Sequence, residues 1–119
     1  MVGNANLVKK RGQYQKALGE ALERIVSNLR ASPEVERVIL FGSYARGKVD
    51  LRTDLDLIVV MSSPRPFLER TAELYGRLEA GIDLDLLVYT PEEWEKQRET
   101  PFIRRALLTG KVLYEKRSD

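Results

Sequence analysis

The sequence has no cysteine and no histidine. The first absence removes disulfide scaffolds, thiolate nucleophiles and Cys-based zinc or iron–sulfur centres. The second removes Ser-His-Asp triads, haem histidines and imidazole bases. Any metal must then be held by oxygen ligands, which points to magnesium, manganese or calcium. Long apolar runs are missing too. The longest, Val38-Ile39-Leu40-Phe41 and Leu57-Ile58-Val59-Val60-Met61, are far too short to span a bilayer. The stretch after Met1 is not apolar enough for a secretory signal, so a cytoplasmic setting without membrane association is expected. An excess of one charge is lacking: 20 Lys+Arg face 18 Asp+Glu, a net charge of +2. Aromatic residues are 8% of the chain and form no stripe interleaved with bases, so nucleic acid is not an expected partner.

The 119 residues are 43% hydrophobic and 32% charged, which suits one globular domain with one core. Tyr14, Leu18, Ala21, Leu22, Ile25, Val26 and Leu29 recur at helical spacing between Leu7 and Ala31, and Ser32-Pro33 ends that helix. Residues 1–33 thus form an N-terminal helix, and residues 35–114 the rest of the fold. Val35 to Phe41, Thr53 to Met61 and Ile82 to Tyr89 read as buried strands, and Lys111 to Tyr114 as a short final one. Phe67, Leu68, Thr71, Leu74, Tyr75 and Leu78 mark an amphipathic helix with Gly81 as its expected cap, and Phe67 and Tyr75 are expected in the core. Thr90-Pro91-Glu92-Glu93 has the pattern of a capping box. Thr100-Pro101 opens another helix, with Phe102, Ile103, Ala106 and Leu107 facing inward. Trp94 is expected to be a packing residue. Only the first few residues and Lys116 to Asp119 are expected to fray.

The chemistry concentrates in Gly42-Ser43-Tyr44-Ala45-Arg46-Gly47 and Thr53-Asp54-Leu55-Asp56-Leu57. A strand that ends at Phe41 and opens a helix near Ser43 leaves backbone N–H groups free to hold phosphate oxygens. Taken alone, Gly42-Ser43 is better explained as an ordinary strand-to-helix turn with Ser43 as N-cap. Asp54 and Asp56, two apart on a strand, point to one face. They lie where the strand enters the core, and carboxylates there need partners. Asp83 and Asp85 also share a strand face, and a neighbouring strand could bring one of them against Asp54 and Asp56. Three carboxylates beside a phosphate-holding turn would make a two-metal site for phosphoryl or nucleotidyl transfer.

Gly-Ser-x-Ala-Arg-Gly followed by Thr-Asp-x-Asp-Leu and a later strand acid resembles the DNA polymerase beta-like nucleotidyltransferase superfamily, and in its shortness the minimal nucleotidyltransferase branch. The resemblance runs from about Val35 to Tyr114; Thr53 stands where serine is usual but keeps the hydroxyl. It implies a small α/β palm, a mixed sheet with helices mainly on one face and the carboxylates at the sheet edge. It implies that Gly42 and Ser43 hold the β- and γ-phosphates of ATP or another nucleoside triphosphate, and that Asp54 and Asp56 ligate two magnesium (or manganese) ions. Asp85, with Asp83 as second choice, ligates the catalytic metal and helps deprotonate the attacking hydroxyl. Arg46 either neutralises triphosphate charge or pairs with Asp50. Small members of this kind act as antitoxins, transferring AMP to a tyrosine of a small helical HEPN-type toxin. The resemblance therefore implies such a partner for this chain. Homo-oligomerisation is a further expectation, since so small a sheet leaves edges to cover.

Two other readings compete. Gly42 to Lys48 matches a P-loop until Val49, where Ser or Thr should bind magnesium. The P-loop reading also leaves Asp54 and Asp56 without a paired role, so it ranks below the transferase. The other is a non-catalytic module that binds nucleotide or masks a helical partner; the retained acidic triad argues for catalysis. The role of Tyr44 is open.

Overall fold

The computed structural model describes residues 2–117. The elements run α1 (Val2–Arg30), β1 (Val35–Phe41), α2 (Gly42–Ala45), β2 (Leu55–Met61), α3 (Phe67–Leu78), β3 (Leu84–Tyr89), α4 (Pro91–Gln97), α5 (Pro101–Thr109) and β4 (Lys111–Glu115). The four strands lie in the order β3-β2-β1-β4. β1 is antiparallel to both of its neighbours, and β2 and β3 are parallel, joined through α3. The sheet is mixed, as expected.

Alternation along each strand sorts side chains onto two faces. Leu55, Leu57, Val59 and Met61 of β2 join Val38 and Leu40 of β1 in a core roofed by Leu18, Ala21, Ile25 and Leu29 of α1 and Leu74 of α3. This α1 stripe is the one that the apolar spacing marks. Ile58 and Val60 point the other way, with Ile39, and are covered by Trp94 of α4 and Ile103 of α5. Most helical residues therefore lie on the first face, and only two short helices shield the second.

Strands β2 and β3 begin two residues later than the apolar pattern suggests. Thr53 and Ile82 precede the ladder because their segments are still turning into the sheet. Gly81 is not the α3 cap: Glu79 takes the left-handed conformation (φ 42°) and its N–H bonds to Tyr75 O. Ser43 is not an N-cap either, because the helix already starts at Gly42. The capping box at Thr90 and Glu93 forms as its pattern indicates. Phe102 is 62% exposed and Tyr75 40%, so the inward placement of Phe102 and the core placement of Phe67 and Tyr75 are corrected. Phe102 sits one step from the buried Ile103, Phe67 is the first residue of α3 and covers Tyr89, and the Tyr75 hydroxyl accepts from Leu86 N–H. Trp94 is buried as expected. Lys116 is tied down, its Nζ donating to Pro33 O at 2.7 Å, whereas Met1, Ser118 and Asp119 lie outside the described residues.

Candidate active site

At the β1–α2 junction the backbone turns through Gly42 at φ +79°, a conformation that favours glycine. A second constraint acts at the same residue. A Cβ on Gly42 would overlap Asp56 Oδ2 and come within 2.9 Å of Asp56 Cγ. The turn and the carboxylate are thus packed directly together, and only a residue without a side chain fits between them. Gly42 is the first of four helical residues, and Ala45, the last of them, is buried beneath. Tyr44 does not face the site: its hydroxyl rests against Gly19, where an added Cβ would lie 3.3 Å away, so it docks the turn onto α1.

Asp56 and Asp85 face each other in the parallel register of β2 and β3. Their carboxylates stand side by side, and like charges so placed repel unless a proton or a cation intervenes. Burial raises the Asp56 pKa to about 6, reinforced by the Asp85 hydrogen bond and charge and by Asp54, and opposed by Arg46. Asp54 precedes β2 by one residue, and the ladder reaches back to it through Leu55 N–H donating to Asp83 O. Its pKa is raised by burial and then by the charges of Asp85 and Asp83. Asp85 is thus the acid directly beside Asp56 in the ladder, and Asp83 stands two residues earlier on β3's approach; both are exposed, and both raise the Asp54 pKa by their charge. The cluster bridges an interior strand and the edge strand β3.

The loop that delivers Asp54 is locked by Thr53, which is buried at 5% exposure. The Thr53 hydroxyl accepts from Asp50 N–H at 2.8 Å and stands 3.3 Å from Lys48 O. On the other side, the Tyr14 hydroxyl donates to Thr53 O at 2.7 Å, tying α1 to the residue before Asp54. The hydroxyl kept at position 53 is therefore structural, and Tyr14 is a supporting residue that helical spacing alone marks only as apolar stripe. Arg46 does not pair with Asp50: its Nη2 lies 3.4 Å from Ser43 Oγ and its charge acts on Asp56, while Asp50 accepts from Arg52 N–H. Val49 packs against the main core and has no hydroxyl to offer a cation, which argues against the P-loop reading.

Among the described residues no three acidic side chains close into a ready-made metal cage. Asp56 and Asp85 are neighbours across the ladder, and Asp54 feels the Asp85 charge. The donor set still fits a hard divalent cation. It consists of carboxylate oxygens only, and its charges oppose one another.

Comparison with known proteins adds an independent line. The family described as "Polymerase beta, Nucleotidyltransferase" matches residues 23–119. A Methanocaldococcus jannaschii protein named "Putative protein adenylyltransferase" is 30% identical over 101 residues, covering 84% of this chain and 97% of that protein. A second protein of that organism with the same name is 31% identical over 70 residues, 59% of this chain and 70% of its own length. Among solved structures, a nucleotidyltransferase-type protein from Sulfolobus solfataricus superposes with a TM-score of 0.55 at 21% identity, covering 92% of this chain and 87% of its own. A toxin–antitoxin crystal structure with AMP-PNP superposes with a TM-score of 0.54 at 24% identity, covering 79% of this chain and 73% of the other. These two likenesses concern the fold.

Proposed function

This chain belongs to the polymerase beta nucleotidyltransferase family, and from that premise we propose that it transfers AMP from ATP to a tyrosine hydroxyl of a small helical HEPN-type partner, acting as that toxin's antitoxin. The observation that carries the reading is the packing of Asp56 against Gly42 on one side and Asp85 on the other. It sets an acidic pair beside a strand-to-helix turn that has no side-chain cap, the kind of backbone turn that can hold an anion. The names of the M. jannaschii relatives support the choice of reaction, and the toxin–antitoxin neighbour supports the choice of partner.

In this reading Gly42 and Ser43 hold the β- and γ-phosphates, and Arg46 adds positive charge beside them. Asp54, Asp56 and Asp85 hold magnesium. Bound there, magnesium cancels the carboxylate repulsion and draws charge from the phosphoryl oxygens. Asp85 is the most exposed of the three and lies on the edge strand, where a partner's hydroxyl can approach. It takes the proton as that oxygen bonds to the α-phosphorus. The bond from the α-phosphorus to the bridging oxygen breaks, and pyrophosphate leaves on the Gly42 side. No covalent intermediate on this chain is required.

The test is mass spectrometry of the protein encoded beside this chain after incubation with the chain, ATP and magnesium. A gain of one or more AMP units on tyrosine supports the reading. A partner that binds but stays unmodified overturns it. A doubly substituted Asp54→Asn, Asp56→Asn chain that still neutralises the partner fully would assign the protection to masking instead.

A further inference from the structure

We propose that the pocket between the Gly42 turn and α5 receives the nucleobase of the triphosphate, against the ring of Phe102, and admits any base with little discrimination. The inference rests on the reading that the turn holds a polyphosphate. It begins with a row of residues across the sheet. Asp85 pairs in register with Asp56, and Asp56 with Phe41, so the three stand side by side on one face. Neighbouring strands are about 4.8 Å apart, so an aromatic ring follows the acids within one nucleotide's reach.

Phe102 extends this row. Its ring meets that of Phe41 edge to face, with centroids 6.2 Å apart and planes at 87°. It is nonetheless 62% exposed, and Leu108 on the same helix is 83% exposed. Large apolar groups left open beside a polar site call for a ligand surface. The cavity there is about 390 Å³, a ligand-sized volume, and Gly42 and Arg46 line it together with Phe41, Phe102, Arg105 and Leu108. The phosphate turn and the aromatic wall therefore belong to one continuous depression. The wall is also held in place. A Cβ on Gly110 would press on Ala106 O at 2.9 Å and Leu40 O at 3.1 Å, so the end of α5 lies hard against β1.

Low discrimination follows from the polar inventory. Apart from the Thr109 hydroxyl, the polar side chains lining the pocket are the Arg46 and Arg105 guanidinium groups, which only donate. Every base offers acceptor atoms to such donors, and stacking tolerates every base.

The test is titration calorimetry with ATP, GTP, CTP, UTP and inorganic tripolyphosphate, magnesium present, on the wild-type chain and on Phe102→Ala and Phe102→Trp. We expect ATP to bind more tightly than tripolyphosphate, with the four nucleotides within about tenfold of one another. Phe102→Ala should weaken ATP about tenfold and tripolyphosphate by less than about twofold, and Phe102→Trp should restore ATP. Because Phe102 is largely exposed, its truncation leaves the core intact. Unchanged ATP affinity in Phe102→Ala, with a raised KM for the protein acceptor, would overturn the proposal and give the pocket to the acceptor. A hundredfold preference for one base would overturn its second half. If tripolyphosphate fails to bind the wild-type chain, the phosphate reading of the turn fails, and the proposal falls with it.

Discussion

The two faces of the sheet differ in how they are closed. One is sealed by a 29-residue helix and a 12-residue helix over a continuous apolar core. The other is covered by helices of seven and nine residues. The acids lie on this second face, half-buried at Asp54 and Asp56 and exposed at Asp85. The fold thus separates its tasks. Stability is gathered on one side, and unfavourable charge is placed on the other, where water or cations can reach it.

The largest expected effect lies on the open face. Asp56→Asn should lower AMP transfer by a thousandfold or more, an order-of-magnitude estimate equal to about 4 kcal/mol of transition-state stabilisation. The circular dichroism spectrum should be unchanged, since Asp56 belongs to neither apolar core cluster. An Asp56→Asn variant with near wild-type transfer would break the division of tasks at its centre.

Leu57 and Ile58 sharpen the comparison, because they are adjacent, fully buried and point to opposite faces. Leu57→Ala opens a cavity under the rigid long helix and should cost about 4 kcal/mol in denaturant unfolding. Ile58→Ala lies under short helices that can settle into the space, and should cost about 2 kcal/mol. Equal losses would show that the thin layer is as rigid as the thick one.

Gly42→Ala joins the two faces in a single test. A side chain at φ +79° carries strain of about 1–3 kcal/mol, and its Cβ collides with the Asp56 carboxylate. Nucleotide transfer should fall with a moderate loss of melting temperature, and a crystal structure should show Asp56 displaced. A variant with full activity would separate the turn from the acids.

Much of this arrangement is written locally and can be read from the sequence. The α1 stripe, the Val35–Phe41 strand and the Thr90 capping box depend on residues a few positions apart. So do the Gly-Ser turn and the Asp54, Asp56 pair, whose shared face follows from strand geometry. Other features depend on contacts distant in sequence. That Asp85, and not Asp83, stands beside Asp56 is set by the β2–β3 register. That Arg46 serves Asp56 and leaves Asp50 depends on how the turn folds. Tyr44 is spent on Gly19 of α1, and Phe102 meets Phe41 from a separate helix far along the chain, contacts that no periodicity announces.

The smallest effect expected is on stability, and it runs opposite to the effect on activity. In the cation-free chain Asp56 has its pKa raised from 3.8 to about 6, chiefly by burial and then by Asp85 and Asp54. Between those values the folded chain keeps a proton that the unfolded chain has released, so the contribution of this group is present below pH 3.8 and is lost as pH rises through 6. The amide of the Asp56→Asn variant has no such proton to lose. With chelator present, Asp56→Asn should therefore melt above wild type at a pH well above 6, and the two curves should converge as pH falls toward 3.8. Adding magnesium at the higher pH should raise the wild-type melting temperature and leave the Asp56→Asn variant nearly unmoved, because the cation relieves a repulsion that the amide has already removed. A wild-type chain insensitive to both pH and magnesium would mean that the open face tolerates its acids without help, and the contrast between the two faces would then be one of packing alone.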